Sequence, residues 1–492
     1  MCTSGAVRGA DFRPAELDRI IETTRKLSNV PGVAVAIVHG DNIVYMKGFG
    51  VKRVGSTEPV SPDTLFAICS CTKAFTAAAL GILVDERKLS WDDPVRKHLP
   101  YFKLSDPLAD ANVTIRDLLC HRTGLANSDL IWMNTSLSRE EIIRRLALLP
   151  LDHSFRSTWD YQNIPFVVAG EIAGRVAGTT WEELVNRRLL VPLGMTNTNF
   201  SVSDALKSAD HATPHTRRGE EIEPIDWPNA DQMFVRPVAP AGAINSSVRD
   251  LAQWMRLLLN DGKFEGKVLL KEATIRETRI PQMVMPVPDQ NANNDRPHMA
   301  AYGLGWFIQD YRGHHLVYDP GATDGWHSMV ILLPHERYGI AILSNLGAEV
   351  PISANIARVL RDAITDELLG LPAKDRNPSV LAARRQVDEN ARKQREQREA
   401  RRRKDTRPSL ASAEYAGTYA HPGYGDVQVR EDAGKLELEW HDWRGSLDHY
   451  HFDTFRVVKL GPFLDQLAQF RLNLDGNVRS IYFLGQEFYH KQ

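Results

Sequence analysis

The chain has 492 residues, 43% hydrophobic and 25% charged, with a formal net charge of -2. That is the make-up of a globular protein of two or three domains, with no general attraction to nucleic acid or to an anionic membrane surface. No apolar run reaches membrane-spanning length, so no membrane span is expected. The four cysteines, Cys2, Cys69, Cys71 and Cys120, have neither disulfide-framework nor metal-ligand spacing and read as small buried residues. The first nine residues lack the hydrophobic core of a signal peptide. The expected location is cytoplasmic, or periplasmic if a leader is missing.

In chain order, an amphipathic helix is predicted from Pro14 to Leu27. A hairpin follows, with apolar runs Gly32 to Val38 and Ile43 to Phe49 around a Gly-Asp-Asn turn. A loop then ends at Ser70 and opens an Ala/Leu/Phe-rich helix running past Gly81. Asp92 or Asp93 is expected to cap a helix near Val95, and Gly124 to close the one begun at Thr114. Helices are predicted over Arg139 to Leu148, Ile164 to Val176 and Trp181 to Leu190. Val202 to about Pro237 reads as loops, Asn245 to Met255 as a capped helix, and the Pro/Asn/Asp-rich stretch Met283 to Pro297 as a surface loop and candidate lid. A second hairpin joins Trp326–Leu333 to Tyr338–Ser344, and a helix covers Ile352 to Leu368. The fold class is therefore α+β: an antiparallel sheet built from the two terminal hairpins, flanked by helices, with a helical insert. Arg384 to Lys404 reads as a solvated basic helix, its charge diluted by Asp388, Glu389, Glu396 and Glu399. From Ser412 short alternating strands predict a small all-β barrel. The expected boundaries are 1–370 for the sheet-and-helix domain, 371–411 for the linker and 412–492 for the barrel.

Ser70 and Lys73 stand one helical turn apart on one face. A serine at a helix start meets free N–H groups and the positive end of the dipole, and a lysine among apolar residues is pushed towards its free amine. That pairing suits a serine nucleophile with a base in reach. Equally, Ser70 could simply cap a buried helix while Lys73 snorkels. Acylation and deacylation need a second proton carrier and two oxyanion donors. Tyr161, with Asn163, stands at the mouth of the apolar helix beginning near Ile164 and could present a phenol and an amide to a cleft; a capping Asn beside a packed Tyr is the plainer alternative.

Together these residues resemble the serine β-lactamase and penicillin-binding protein family, in particular its class C-like peptidase and esterase branch. Ser70-Cys-Thr-Lys73 matches Ser-x-x-Lys and Tyr161-Gln-Asn163 matches Tyr-x-Asn. Gly32-Val-Ala-Val-Ala, Leu118 to Leu125, Pro192-Leu-Gly-Met195 and Pro240-Ala-Gly242 follow in the expected order. The resemblance spans roughly Pro14 to Gly370, and the tail resembles the β-barrel often appended to such hydrolases. It implies that Ser70 forms an acyl-enzyme, that Lys73 and Tyr161 carry protons, and that Asn163 orients Lys73 or the substrate amide. It further implies that the N–H groups of Ser70 and of Ala322, after Gly321, hold the oxyanion. The third motif departs: Asp319-Pro-Gly321 stands where relatives carry Lys-Thr-Gly or His-x-Gly. A carboxylate thus replaces the basic residue and is expected to repel carboxylate-bearing ligands and to favour protonated Lys73.

The function expected is a serine hydrolase of peptide-like amides or small esters that is no efficient β-lactamase. The alternative is a catalytically weak ligand-binding sensor or scaffold. No cofactor and no metal are expected, the partner is a small-molecule or peptide substrate, and a homo-oligomer is compatible with the sequence.

Overall fold

The computed structural model describes residues 13–126, 128–133, 135–219, 221–227, 236–287, 297–347, 355–461 and 466–491. It divides into two compact units, one of residues 1–102, 106–127 and 151–388, the other of 103–105, 128–150 and 389–492.

The first unit is built on an eight-stranded sheet. Its strands are β1 (Gly32–His39), β2 (Asn42–Gly50), β3 (Met283–Met285), β4 (Ala300–Tyr302), β5 (Phe307–Tyr311), β6 (His314–Thr323), β7 (Trp326–Leu333) and β8 (Tyr338–Ser344). The order across the sheet is β2-β1-β8-β7-β6-β5-β4-β3, and every neighbouring pair is antiparallel. The N- and C-terminal hairpins thus meet at β1 and β8. Every residue of β7 and β8 is buried, the signature of strands covered on both faces. On one face Val33, Val35, Ile37, Ile331, Ile340 and Ile342 pack against Leu17 and Ile21 of helix α1 (Pro14–Leu27) and Ile356, Leu360 and Ile364 of helix α5 (Ile356–Leu368). On the other face lies helix α4 (Val248–Leu259), close enough that a Cβ on Gly339 would come within 3.1 Å of the Met255 side chain.

The helical part centres on α2 (Thr72–Asp85) and α3 (Ile164–Ala177), both buried along most of their length. Gly170 of α3 faces the short turn Ala239–Gly242, where a Cβ would lie 2.3 Å from Pro240 Cγ. Only glycine allows that approach.

Several local expectations are corrected. Neither Asp92 nor Asp93 caps the helix Val95–His98, whose N-cap is Pro94 without a side-chain bond. Asp93 instead accepts the Ser90 N–H at 3.0 Å and bonds Lys97 at 2.8 Å. The helix after Thr114 ends at Leu119, and Gly124, at φ +81, serves a later turn where a Cβ would lie 2.4 Å from His153 O. Between Val202 and Pro237 there is a helix Val202–Ala205 and a hairpin of His215–Arg218 with Glu221–Pro224, while residues 228–235 lie outside the described ones. Of the candidate lid, Met283–Met285 is the sheet's edge strand and 288–296 lie outside the described residues. The last helix begins at Ile356; 352–354 are likewise outside. The basic stretch forms helix α6 (Asn377–Arg401), which passes from one unit to the other at 388–389.

The second unit contains a closed eight-stranded barrel, from Gly417–His421 to Gln486–His490. In Lys435–Trp440 every second residue is buried, with exposed or half-buried residues between. Tyr419, Trp440, Phe455, Phe470, Phe483 and Phe488 are all buried. The same unit holds the insertion 128–150, which carries helix Arg139–Arg145. His441 Nδ1–H donates to Met133 O at 2.6 Å, Arg145 reaches Gly423 O at 3.4 Å, and Leu149 lies 2.4 Å from where a Gly423 Cβ would stand. Among the described residues no helix is long and apolar enough to cross a membrane.

Candidate active site

Ser70 sits in a single 3-10 turn, Cys69–Cys71, immediately before α2. Cys69 has φ +50, in the left-handed region that a side chain rarely adopts, so the turn is sharp and Ser70 is set at the helix entrance. Thr72 Oγ1 accepts the Ile244 N–H at 3.1 Å and ties the turn to the chain beyond Gly242.

Lys73 is fully buried, and its ammonium donates to Ser70 Oγ at 3.0 Å, Asn163 Oδ1 at 2.9 Å and Ala241 O at 2.9 Å. An ammonium has three protons, and here each has an acceptor. The Tyr161 ring lies 4.8 Å and the Phe166 ring 5.5 Å from Nζ, adding cation–π contacts. Tyr161 OH donates to the same Ser70 Oγ at 2.7 Å. One hydroxyl is therefore in hydrogen-bond contact with an amine and a phenol at once. Asn163, at the N-cap of α3, makes no capping bond with its side chain. Its amide goes to Lys73 instead.

The turn carrying Ala241 is placed by Gly170 and by Thr76 of α2, whose hydroxyl donates to Pro240 O at 2.7 Å. Behind Tyr161 lies His121, buried, at φ +57. Burial and the Lys73 charge hold its imidazole well below the usual histidine range, so it is neutral. Tyr302 is buried beside it, its phenol pushed up by burial.

On β6, Gly321 stands opposite Ser328 and Ala322 opposite His327. A Cβ on Gly321 would lie 2.1 Å from Ile68 O and 2.3 Å from Ser328 Oγ, so glycine lets the strand lie against the Ser70 turn. Ala322 is exposed beside it. Asp319 needs a correction: it does not wall the cleft with negative charge. It is 1% exposed, Cys71 Sγ–H donates to its carbonyl at 3.0 Å, and one carboxyl oxygen has no partner. Burial pushes its carboxyl well above the usual range, against the opposing pull of Lys73 and of a backbone bond from Ala74. A buried acid whose charged form is disfavoured by burial stands where a surface charge was expected. Nor does a nearby histidine restore a cation. His327 is buried and lowered to about 4, His314 bonds Glu336 at 2.6 Å, and His315 packs on His335.

The motifs read together, through the family they resemble, therefore pointed to the side chains that meet at Ser70. It missed the Ala241 carbonyl, Thr76, His121 and Tyr302, although the phrases Leu118 to Leu125 and Pro240 to Gly242 run through or beside them. A carbonyl carries no residue-type signal.

An antiparallel sheet with a helical insert, holding a buried serine between a lysine and a tyrosine, is the layout of the penicillin-recognising serine hydrolases. The chain belongs to the β-lactamase family, a family of serine hydrolases, whose profile matches residues 17–364. Residues 401–491 match a domain of unknown function, DUF3471. Unguisins hydrolase ungD of Aspergillus violaceofuscus is 28% identical over 465 residues, covering 86% of this chain and 77% of that protein. Protein flp of Staphylococcus aureus N315 is 28% identical over 338 residues, 68% of this chain and 63% of its own length. Among solved structures, the octameric penicillin-binding protein homologue from Pyrococcus abyssi aligns with TM-score 0.62 at 23% identity, covering 98% of this chain and all of that one (100%). A class C β-lactamase from Rhodobacter sphaeroides gives TM-score 0.56 at 19% identity, with 72% and 98% covered.

Proposed function

We propose that the protein hydrolyses neutral peptide-like amides or small esters through an acyl-Ser70 intermediate. The observation that carries this reading is the double contact on Ser70 Oγ, from Lys73 at 3.0 Å and from Tyr161 at 2.7 Å. With Lys73 as its free amine or Tyr161 as its phenolate, Ser70 Oγ bonds to the substrate carbonyl carbon and gives its proton to that base. The leaving group departs with a proton, and water then cleaves the acyl ester by the reverse transfer. Asn163 and Ala241 O hold the amine in line. The N–H groups of Ser70 and Ala322 would receive the oxyanion, with Gly321 keeping the strand close. The similarity to unguisins hydrolase ungD supports the hydrolytic class.

The buried state of Asp319 and the absence, among the described residues, of a cation in its place support substrates without a carboxylate at that corner. Penicillin-type substrates are expected to turn over poorly. A homo-oligomer is also proposed, and light scattering of the purified chain measures it.

A tagged fluorophosphonate tests the central claim. It should label the wild type, with the phosphorus–oxygen bond to Ser70 replacing the phosphorus–fluorine bond, and should not label Ser70→Ala. Equal labelling of Ser70→Ala would assign the nucleophile elsewhere.

A further inference from the structure

We propose that His121 is a positioning residue that fixes Tyr161 against Ser70, gripping the chain on both sides of the tyrosine. The inference rests on the acyl-Ser70 reading above and adds to it a residue that touches neither Ser70 nor substrate.

The grip has three points. The His121 carbonyl accepts the N–H of Asp160 at 3.0 Å, and its Nδ1 accepts the N–H of Gln162 at 3.1 Å. Between these two anchored residues is Tyr161, whose ring lies 4.5 Å from the imidazole, centroid to centroid. Next door, Thr123 donates to Gln162 Oε1 at 3.2 Å, so the same turn holds the following side chain too. Because Nδ1 accepts, the neutral ring carries its proton on Nε2. That Nε2–H is buried and has no hydrogen-bond partner.

An unsatisfied buried donor is a cost, and so is φ +57 at a residue other than glycine. A leucine would fill the same space without the orphaned donor. The feature that offsets both costs is the acceptor at Nδ1, reachable only when the backbone turns as it does here. Tyr302 and Phe166, with ring centroids 4.7 and 5.2 Å away, wedge the imidazole in that orientation. A phenol held this way meets Ser70 Oγ without searching among rotamers, which is where a small misplacement removes much of the rate.

The test is a double-mutant cycle read by the rate of fluorophosphonate labelling of the full chain, with circular dichroism as the folding control. His121→Leu should slow labelling by about 10- to 100-fold. His121→Asn keeps an acceptor near Nδ1 and tolerates the left-handed backbone, and should stay within about threefold of wild type. In the Tyr161→Phe background, His121→Leu should change the rate by less than about threefold, since the phenol it positions is gone. A merely structural histidine gives the same loss in both backgrounds, and that result overturns the inference. So does an Asn variant as slow as the Leu variant. Should His121→Leu fail to fold, His121→Ala takes its place in the same cycle: a loss of about 10-fold or more with Tyr161 present and of less than about threefold relative to the Tyr161→Phe parent supports the inference, and equal losses in both overturn it. A wild type that never labels overturns the hydrolase reading itself, and a Tyr161→Phe variant as fast as wild type removes the role of Tyr161; each is distinct from a failed cycle.

Discussion

Lys73 is fully buried, and its three ammonium protons are matched by three protein acceptors. Lys73→Met keeps the stem and removes the amine. It should lower the labelling rate of Ser70 by about 10²- to 10⁴-fold, the range for loss of a positioned proton carrier. Lys73→Arg should not restore the rate, because a planar guanidinium that stays protonated cannot act as the base. Asp319 makes a prediction about stability. Its carboxyl is raised in the fold, so the native state keeps a proton that the unfolded chain releases above about pH 4. Its contribution is complete below that value and is lost as pH rises towards the folded value. Urea denaturation at about pH 4 and about pH 8 should therefore show wild type losing stability relative to Asp319→Asn on the alkaline side. Parallel behaviour of the two proteins would rule out a buried, protonated Asp319. Ser70, Lys73, Tyr161 and Asn163 were legible in the sequence because their motifs, taken together and in order, resemble those of a known family; spacing alone left capping and packing roles open. The sense of Asp319 was not, because residue type announces a charge whereas burial decides whether it exists.

Elements bring these residues together through close packing. Gly170 lets Pro240 approach α3, and the same turn offers Ala241 O to Lys73. Gly170→Val should overpack this contact, costing about 1–3 kcal/mol in urea unfolding and slowing Ser70 labelling as the carbonyl is displaced. Unchanged labelling would mean that the turn does not position the amine. Long periodic elements were readable: Pro14–Leu27, Trp326–Leu333 and Tyr338–Ser344 fall where the apolar pattern puts them. Short ones were not. His215–Arg218 and Met283–Met285 have too few residues for period-2 alternation to rise above chance, and their pairing depends on partners distant in sequence. β6 was hidden because Asp319, Pro320 and Gly321 are poor strand formers, kept in the sheet by the site they serve.

At the scale of the whole molecule, the composition of the second unit is the unexpected feature. The barrel was legible from its alternation, but its grouping with the insertion 128–150 was not, since hydrogen bonds such as His441 to Met133 join residues some three hundred positions apart. A chain ending at Asp388 should leave Arg139–Leu148 without those partners. Their amides should exchange with solvent faster than in the full chain, while those of Trp326–Leu333 remain protected. Slow exchange at Arg139–Leu148 in the shortened chain would show that the insertion is stable without the barrel.

The insertion is flanked by Leu125 and Leu151, which pair in an isolated antiparallel bridge, so the polypeptide passes between the units in mid-sequence as well as at its tail. Anyone grafting this barrel onto another member of the family would have to transplant separate earlier stretches of the chain with it. A recipient given the tail alone would inherit an incomplete set.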